Sequence, residues 1–440
     1  MIIDQGANYP AVLRAEHAGE EQPRQVEPLC SSFRLPQSLS MRTCKSLFFF
    51  AMVLLSIAVV TGCATVLRTP LPEDRIADAW IPGMTHIRYW GDSLPDDFDK
   101  LIAQQISQSK AYDLQAFHRP SHSLAISGGG ANGAFGAGLL VGWSEAGDRP
   151  TFSIVTGIST GALIAPFAFL GSKYDEQLMQ AFTTTATKDI LKIRSLLKLL
   201  SGDAVTDSIP LLEILRKYVT QEMLSDIAVE YTKGRRLVIG TTNLDAKRSV
   251  LWDITAIAAS GQENALQLVH EIILASASVP GVFPPVYIKV EANGDQYDEM
   301  HVDGGTASQV FLYPPQLDHR RLSEIVKKDI EVHIYIIRNA RLEPKWKAVR
   351  PSLGPIAKGA LSTLILNQGM GNLELMYFLA MRDGYDYNLA YIPSYFNEET
   401  TETFDPTYMK KLFDVGYNLA KAGYPWQKIP PRLKKPEGKN

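Results

Sequence analysis

An α/β fold built on a mainly parallel sheet is what this sequence predicts, and three observations predict it. Apolar and β-branched runs alternate with helical patterns along most of the chain. Two of those runs, Leu124-Ala125-Ile126 and Phe152-Ser153-Ile154-Val155, turn through glycine into helices of small residues, Ala134 to Trp143 and Ala162 to Leu170. A third run, Glu331 to Arg338, is rich in β-branched residues and reads as a buried strand. Strand, tight turn and helix in repetition is the pattern of a sheet whose strands run the same way, because each helix returns the chain across a face.

The first of the glycine turns is Ser127-Gly128-Gly129-Gly130-Ala131-Asn132-Gly133. Glycines let backbone N–H groups converge on one point, and a helix N-terminus behind them adds partial positive charge, so the turn is a candidate anion site. The second, Gly157-Ile158-Ser159-Thr160-Gly161, places a serine between glycines at a strand-to-helix turn. That is the form of a nucleophile elbow, in which Oγ is exposed at a sharp bend. One turn offers oxyanion donors and the other offers a nucleophile.

The remaining chain is read around these two turns. From Met41 a basic start leads into an apolar run, Leu47 to Val60, and then Thr61-Gly62-Cys63. The run is shorter than the ~20 residues wanted to span a bilayer, so residues 41–63 read as a secretory signal. Val60-Thr61-Gly62-Cys63 is similar to a bacterial lipobox, which implies lipidation of Cys63; Ala64 after it, rather than Asp, implies an outer-membrane address facing the periplasm. Residues 1–40 are polar and aperiodic and are expected to be a leader outside the working protein, with Met41 as the start. Residues 64–120 hold a tether, the aromatics Trp80, Tyr89 and Trp90, and a helical pattern from Phe98 to Lys110; the segment is expected to cover part of the core.

Lys188 to Leu200 carries apolar positions beside Lys192, Arg194 and Lys198 at helical spacing. It is expected to be a cap helix with solvated lysines, the alternative being a helix lying on lipid. A helix follows through Tyr218, with Ser208 expected as its cap. Strands are expected at Arg236–Asn243, Ser249–Ile254 and Tyr297–Asp303. Helices are expected at Asn264–Ser276, Lys358–Met381 and Thr407–Ala422. Residues 121–315 form the expected catalytic core, and 316–440 its remaining strand and helical C-terminal extension.

Composition narrows the function. A net charge of −3 predicts no affinity for nucleic acid. All three cysteines, Cys30, Cys44 and Cys63, lie near the N-terminus, so the folded part has no disulfide or cysteine metal site. Gly128, Gly130 and Gly133 satisfy G-x-G-x-x-G, but Glu145 and Asp148 fall before the next strand begins, and no Lys follows the glycines. Neither a ribose clamp nor a P-loop is formed, so no nucleotide is expected. No EF-hand spacing of acids occurs, and no metal or cofactor is expected.

A serine nucleophile needs a base. His333 lies in a predicted strand and no histidine follows it; His270 lies in a predicted helix. His301 and His319 are left, and His301 reads as a strand residue with an ordinary hydrogen bond. Asp303, opening into Gly304-Gly305, is the better candidate base.

Four blocks together, Ser127-Gly-Gly-Gly-x-x-Gly133, Gly157-Ile-Ser-Thr-Gly161, Ala275 to Pro285 and Asp303-Gly-Gly305, resemble the patatin-like phospholipases. The resemblance implies a three-layer α/β/α fold and hydrolysis of lipid acyl esters by a serine–aspartate dyad without histidine. It implies Ser159 as nucleophile, Asp303 as its base and the amides of Gly128, Gly129 and Gly130 as the oxyanion hole, with Gly157 and Gly161 shaping the elbow. The implied partner is a membrane lipid. Ala275 to Pro285 is expected to aim structure rather than to catalyse. One departure is Asn132, where the family usually has Arg or Lys. Acyl transfer by the same dyad, or lipid binding without catalysis, are the alternatives.

Overall fold

The computed structural model describes residues 68–115, 119–193 and 204–434. They fall within one compact unit, Cys63–Asn440. The expected leader, signal segment and lipidation site at Cys63 lie outside the described residues.

Nine strands make the central sheet: β1 (Arg88–Trp90), β2 (Ser121–Ile126), β3 (Ile154–Ile158), β4 (Arg236–Asn243), β5 (Arg248–Asp253), β6 (Val286–Ala292), β7 (Asp295–Asp303), β8 (Val332–Arg338) and β9 (Asp386–Tyr391). The path across it is β1-β5-β4-β3-β2-β8-β9, with β7 also pairing β4, and β6 pairing β7. From β4 through β3, β2 and β8 to β9 every pairing is parallel, and the remaining pairings are antiparallel. Successive residues of a strand face opposite sides, and here both sides are buried. Leu124 and Ile126 enter one apolar cluster while Ala125 enters the other; Ile337 and Ile336 divide in the same way. The protein is therefore layered helix–sheet–helix.

The helices are α1 (Phe98–Tyr112), α2 (Gly133–Ala146), α3 (Thr160–Leu170), α4 (Asp175–Thr184), α5 (Ile209–Tyr218), α6 (Gln221–Thr232), α7 (Ile254–Ala259), α8 (Ala265–Ser276), α9 (His319–Val326), α10 (Leu353–Asp383) and α11 (Pro406–Lys421). The expected strand-turn-helix units are present as β2–α2 and β3–α3. The segment expected only to cover the core does more: its β1 extends the sheet at the β5 edge.

Three expectations are corrected. Lys188–Leu200 is not one helix: Thr187–Ile190 forms a single turn, and Lys192–Ile193 pairs antiparallel with Thr206–Asp207. One helical turn fixes several residues for one hydrogen bond, so the strand pairing competes well there. Residues 194–200 lie outside the described residues. Ser208 makes no side-chain cap; Asp207 Oδ1 accepts the Ile209 N–H instead, at 3.1 Å. Strand β6 was not expected. It pairs with β7 around Asn293-Gly294, both at positive φ, and Asn-Gly between apolar runs is the signal that identifies such a hairpin.

Helix α11 lies backbone to backbone on α2. A Cβ at Gly138 would collide with the Phe413 carbonyl, one at Gly142 with the Tyr417 carbonyl, and one at Gly416 with the Phe135 carbonyl. Small residues at this crossing hold α2, and thus its N-terminus behind the glycine turn, against the sheet. Gly138→Ala is expected to destabilise the protein by about 1–3 kcal/mol through overpacking. Urea denaturation would read this as a lower midpoint at unchanged slope.

Candidate active site

Ser159 stands between the last residue of β3 and the first of α3, at φ 55° and ψ −123°. A non-glycine residue in that region stores ~1–3 kcal/mol of strain, so the surroundings must hold it. The Ser159 N–H donates to Ser276 Oγ at 3.0 Å, and the Ser276 hydroxyl donates to the Gly240 carbonyl at 2.7 Å. Gly157 and Gly161 make the bend possible. A Cβ on Gly157 would strike the Gly161 carbonyl, and one on Gly161 would strike the Ile126 carbonyl.

Strand register brings Asp303 to the serine. On β4, Gly240 pairs with Ile158 of β3 and the next residue, Thr241, pairs with Asp303 of β7. Ser159 and Asp303 thus emerge at consecutive rungs along one edge of β4. The Asp303 N–H donates to the Ser278 carbonyl at 2.9 Å, and its carbonyl accepts from Thr242 Oγ1 at 3.0 Å. Its side chain is only 5% exposed. Burial pushes the carboxyl up to about 6, while the Ser159 hydroxyl and the Gly305 N–H act to lower it. Oδ1 accepts the Gly305 N–H at 2.7 Å; Oδ2 is buried and accepts no hydrogen bond of full geometry.

The glycine turn faces the same point. A Cβ on Gly128 would lie 3.0 Å from Ser159 Cβ, so only glycine leaves room for the serine side chain. The Gly128 N–H is engaged, donating to the Gln309 carbonyl at 3.3 Å. Gly129 and Gly130 are exposed residues, and their amides meet no acceptor among the described residues. Of the three expected oxyanion donors, these two are therefore available. The Gly128 carbonyl accepts from Ser127 Oγ at 2.7 Å and lies 3.5 Å from Arg338 Nη1. In a planar trans peptide the carbonyl and the following N–H point opposite ways, so pinning this carbonyl aims the Gly129 N–H outward. Thr160 Oγ1 donates to the Gly130 carbonyl at 3.0 Å. Asn132 Oδ1 accepts from the Tyr408 hydroxyl at 2.7 Å, so the residue at the departure is held by α11.

Arg338 was not singled out in the sequence. It is 3% exposed, ends β8, and has no carboxylate within ion-pairing distance among the described residues. Burial pulls its guanidinium down to about 10. Nη1 also lies 3.5 Å from Gln309 Oε1. Gln309 Nε2 donates to the Gly305 carbonyl at 2.7 Å and to Gln368 Oε1 at 3.1 Å. Gln309 thereby joins the glycine turn to the loop that follows Asp303. The available signal was an arginine at the end of an otherwise apolar strand.

The histidines lie elsewhere. His301 is buried between Thr241 Oγ1 and Glu299, His319 bonds Asp329, and His270 bonds the Val219 carbonyl. Ala275 to Pro285 braces the site through Ser276 and the Ser278 carbonyl. An apolar cleft opens beside Gly130 and Thr160, walled by Leu163, Phe167, Phe182 and Leu215. Among the described residues, no group of three or more His, Cys, Asp or Glu is placed to hold a metal ion.

Residues 124–315 match the family model of the patatin-like phospholipases, and over that stretch the chain carries a patatin-like phospholipase domain. The family so named is one of lipid acyl hydrolases. Two solved structures are similar in part. VipD from Legionella pneumophila has a TM-score of 0.34 and 11% identity over 69% of this chain and 66% of that one. Human GIVD cytosolic phospholipase A2 has a TM-score of 0.32 and 10% identity over 71% of this chain and 56% of that one. The chain thus spans less than two thirds of either structure's length. No curated protein sequence matches the chain.

Arg338→Met removes a buried charge that has no ionic partner, so the fold is expected to hold its stability or gain slightly. Ester turnover is expected to fall roughly tenfold or more as the Gly129 amide loses its orientation, with KM little changed. Denaturation and steady-state kinetics on the same preparation would read this split.

Proposed function

We propose that this protein is a serine acyl hydrolase that cleaves carboxylic esters of lipids through Ser159 and Asp303. The observation that carries the reading is the placement of a strained, half-exposed serine one rung from a buried carboxyl whose pKa is raised to about 6. Asp303 accepts the Ser159 proton as Oγ attacks the acyl carbonyl, and an acyl-enzyme forms while the alcohol or lysolipid leaves. The Gly129 and Gly130 amides hold the tetrahedral oxyanion, with Gly128 giving clearance instead of a third donor. The same carboxylate then activates the water that releases the acid. The apolar cleft beside Gly130 takes the acyl chain, since its walls offer carbon and few polar atoms. The raised pKa suits a carboxylate for this work, because an unperturbed one near 3.9 is a weak base. No metal or cofactor enters the scheme. Lipidation at Cys63 would set the enzyme on the periplasmic face of an outer membrane.

Turnover of a short-chain p-nitrophenyl ester tests the scheme. Ser159→Ala and Asp303→Asn are each expected to lose at least about a thousandfold, with EDTA without effect. Full activity in Asp303→Asn would refute the dyad. Because Asp303 works ionised, kcat/KM is expected to rise with pH through about 6 and then level off.

A stability effect of opposite sign accompanies it. Folding raises the Asp303 pKa from an ordinary 3.8 to about 6. The fold therefore loses stability as pH climbs between those values, by about 3 kcal/mol once the group is ionised. Asp303→Asn is expected to be more stable than its parent by that order at pH 8, and no more stable below pH ~4. Urea midpoints at the two pH values would measure it.

A further inference from the structure

Helix α10 has two unlike halves. Its C-terminal half packs on the sheet through Met370, Leu373, Met376 and Ala380. Gly369 lies against the Arg338 guanidinium at the end of β8, and the helix finishes at Asp383, just before β9 starts beside His333. Residues 353–368 therefore lie beyond the strand-end edge of the sheet, the edge that carries Ser159 and the glycine turn. At 1.5 Å per residue they project by about 24 Å. The base of this projection touches the site: Gln368 Nε2 donates to the Ala307 carbonyl at 2.9 Å, four residues after Asp303.

The projecting half is apolar and uncovered. Apolar residues recur at 353, 356, 357, 360, 361, 364 and 365, the spacing of one helix face. Leu353 is 86% exposed, Leu364 67% and, in the segment leading in, Trp346 88%. Contiguous apolar surface of this kind marks a contact face. Charge indicates what it contacts. Between Glu343 and Glu374 there is no acidic residue, while Lys345, Lys347, Arg350 and Lys358 are basic. Lys345 pairs with Glu399, which Lys347 also approaches; Arg350 and Lys358 have no ion-pair partner among the described residues. No described helix is long and apolar enough to cross a membrane. A short apolar face with basic residues and a tryptophan lies in the plane of a lipid surface, with attraction to anionic head groups added to apolar burial.

The geometry points to residues 344–367 as a docking element that seats in an anionic lipid surface and holds the mouth of the Ser159 site against it. This deepens the proposed function and rests on it for the lipid's role as substrate, but docking itself does not require catalysis. The test is flotation of residues 64–440, which belong to one compact unit and lack the apolar run Leu47 to Val60 that would itself hold the chain to lipid, carrying Ser159→Ala, with vesicles of phosphatidylethanolamine and phosphatidylglycerol. Ile356→Glu with Leu364→Glu is expected to reduce vesicle binding roughly tenfold or more. Lys347→Glu with Arg350→Glu is expected to reduce it selectively on anionic vesicles. With Ser159 intact, Ile356→Glu/Leu364→Glu is expected to keep parental turnover of the soluble ester and lose it on vesicles. Undiminished flotation of Ile356→Glu/Leu364→Glu would overturn the proposal. So would a parent that sediments as a dimer and a variant that sediments as a monomer with flotation unchanged, since a second copy would then cover the face. Absence of all ester turnover would count against the dyad and leave the flotation result standing.

Discussion

Strand β4 lends one edge to two partners in succession, and the site depends on that sharing. Its first residues pair with β3 as far as Gly240 opposite Ile158, and its last pair with β7 from Thr241 opposite Asp303. A slip of one residue in either pairing would turn Ser159 or Asp303 to the other face of the sheet. The junction is tight, because a Cβ on Gly304 would collide with the Gly240 carbonyl. Ser276 ties the same carbonyl to the Ser159 amide, so both chain ends are fixed by one short stretch of β4. Hydrogen-bonded backbone thus sets the spacing of Ser159 and the Asp303 carboxyl before any side chain packs.

The buried charges are kept apart. A guanidinium in contact with Asp303 would hold the carboxyl low. Arg338 is instead separated from it by Gln309 and does not figure among the groups acting on the carboxyl. Asp303 accordingly stays near 6, while Arg338 lies against the Gly128 carbonyl in a medium where its field is strong. Asn132, which cannot carry charge, sits in the place where the resemblance leads one to expect a cation. A cation does lie near the glycine turn, but it arrives from β8.

Helix α10 links three levels of this organisation. Its packed half closes the β8–β9 side of the core, and Asn372 Oδ1 accepts the Gln309 N–H at 2.8 Å. Gln368 braces the loop after Asp303. The half beyond it exposes apolar surface at the same edge of the sheet. Core packing, the brace on the loop after Asp303 and the exposed apolar turns are thus successive parts of one helix.

The sequence by itself determined the local geometry: both glycine turns, the strands and helices that flank them, and the aspartate before Gly304-Gly305. These depend on near neighbours, on steric freedom at glycine and on apolar periodicity, all of which are written in order along the chain. The Asn293-Gly294 turn carried a local signal of the same kind, although strand β6 was not expected from it. What only the tertiary structure decided depends on residues far apart in sequence. The use of the Gly128 amide by Gln309, the approach of Arg338 to a carbonyl 210 positions away, and the rise in the Asp303 pKa all follow from burial and register. The same holds for Lys192–Ile193, where pairing with Thr206–Asp207 interrupted a helical pattern, and for α10, where apolar residues occur in both the packed and the exposed half. Periodicity says that a face is apolar; only the packed chain says whether anything covers it.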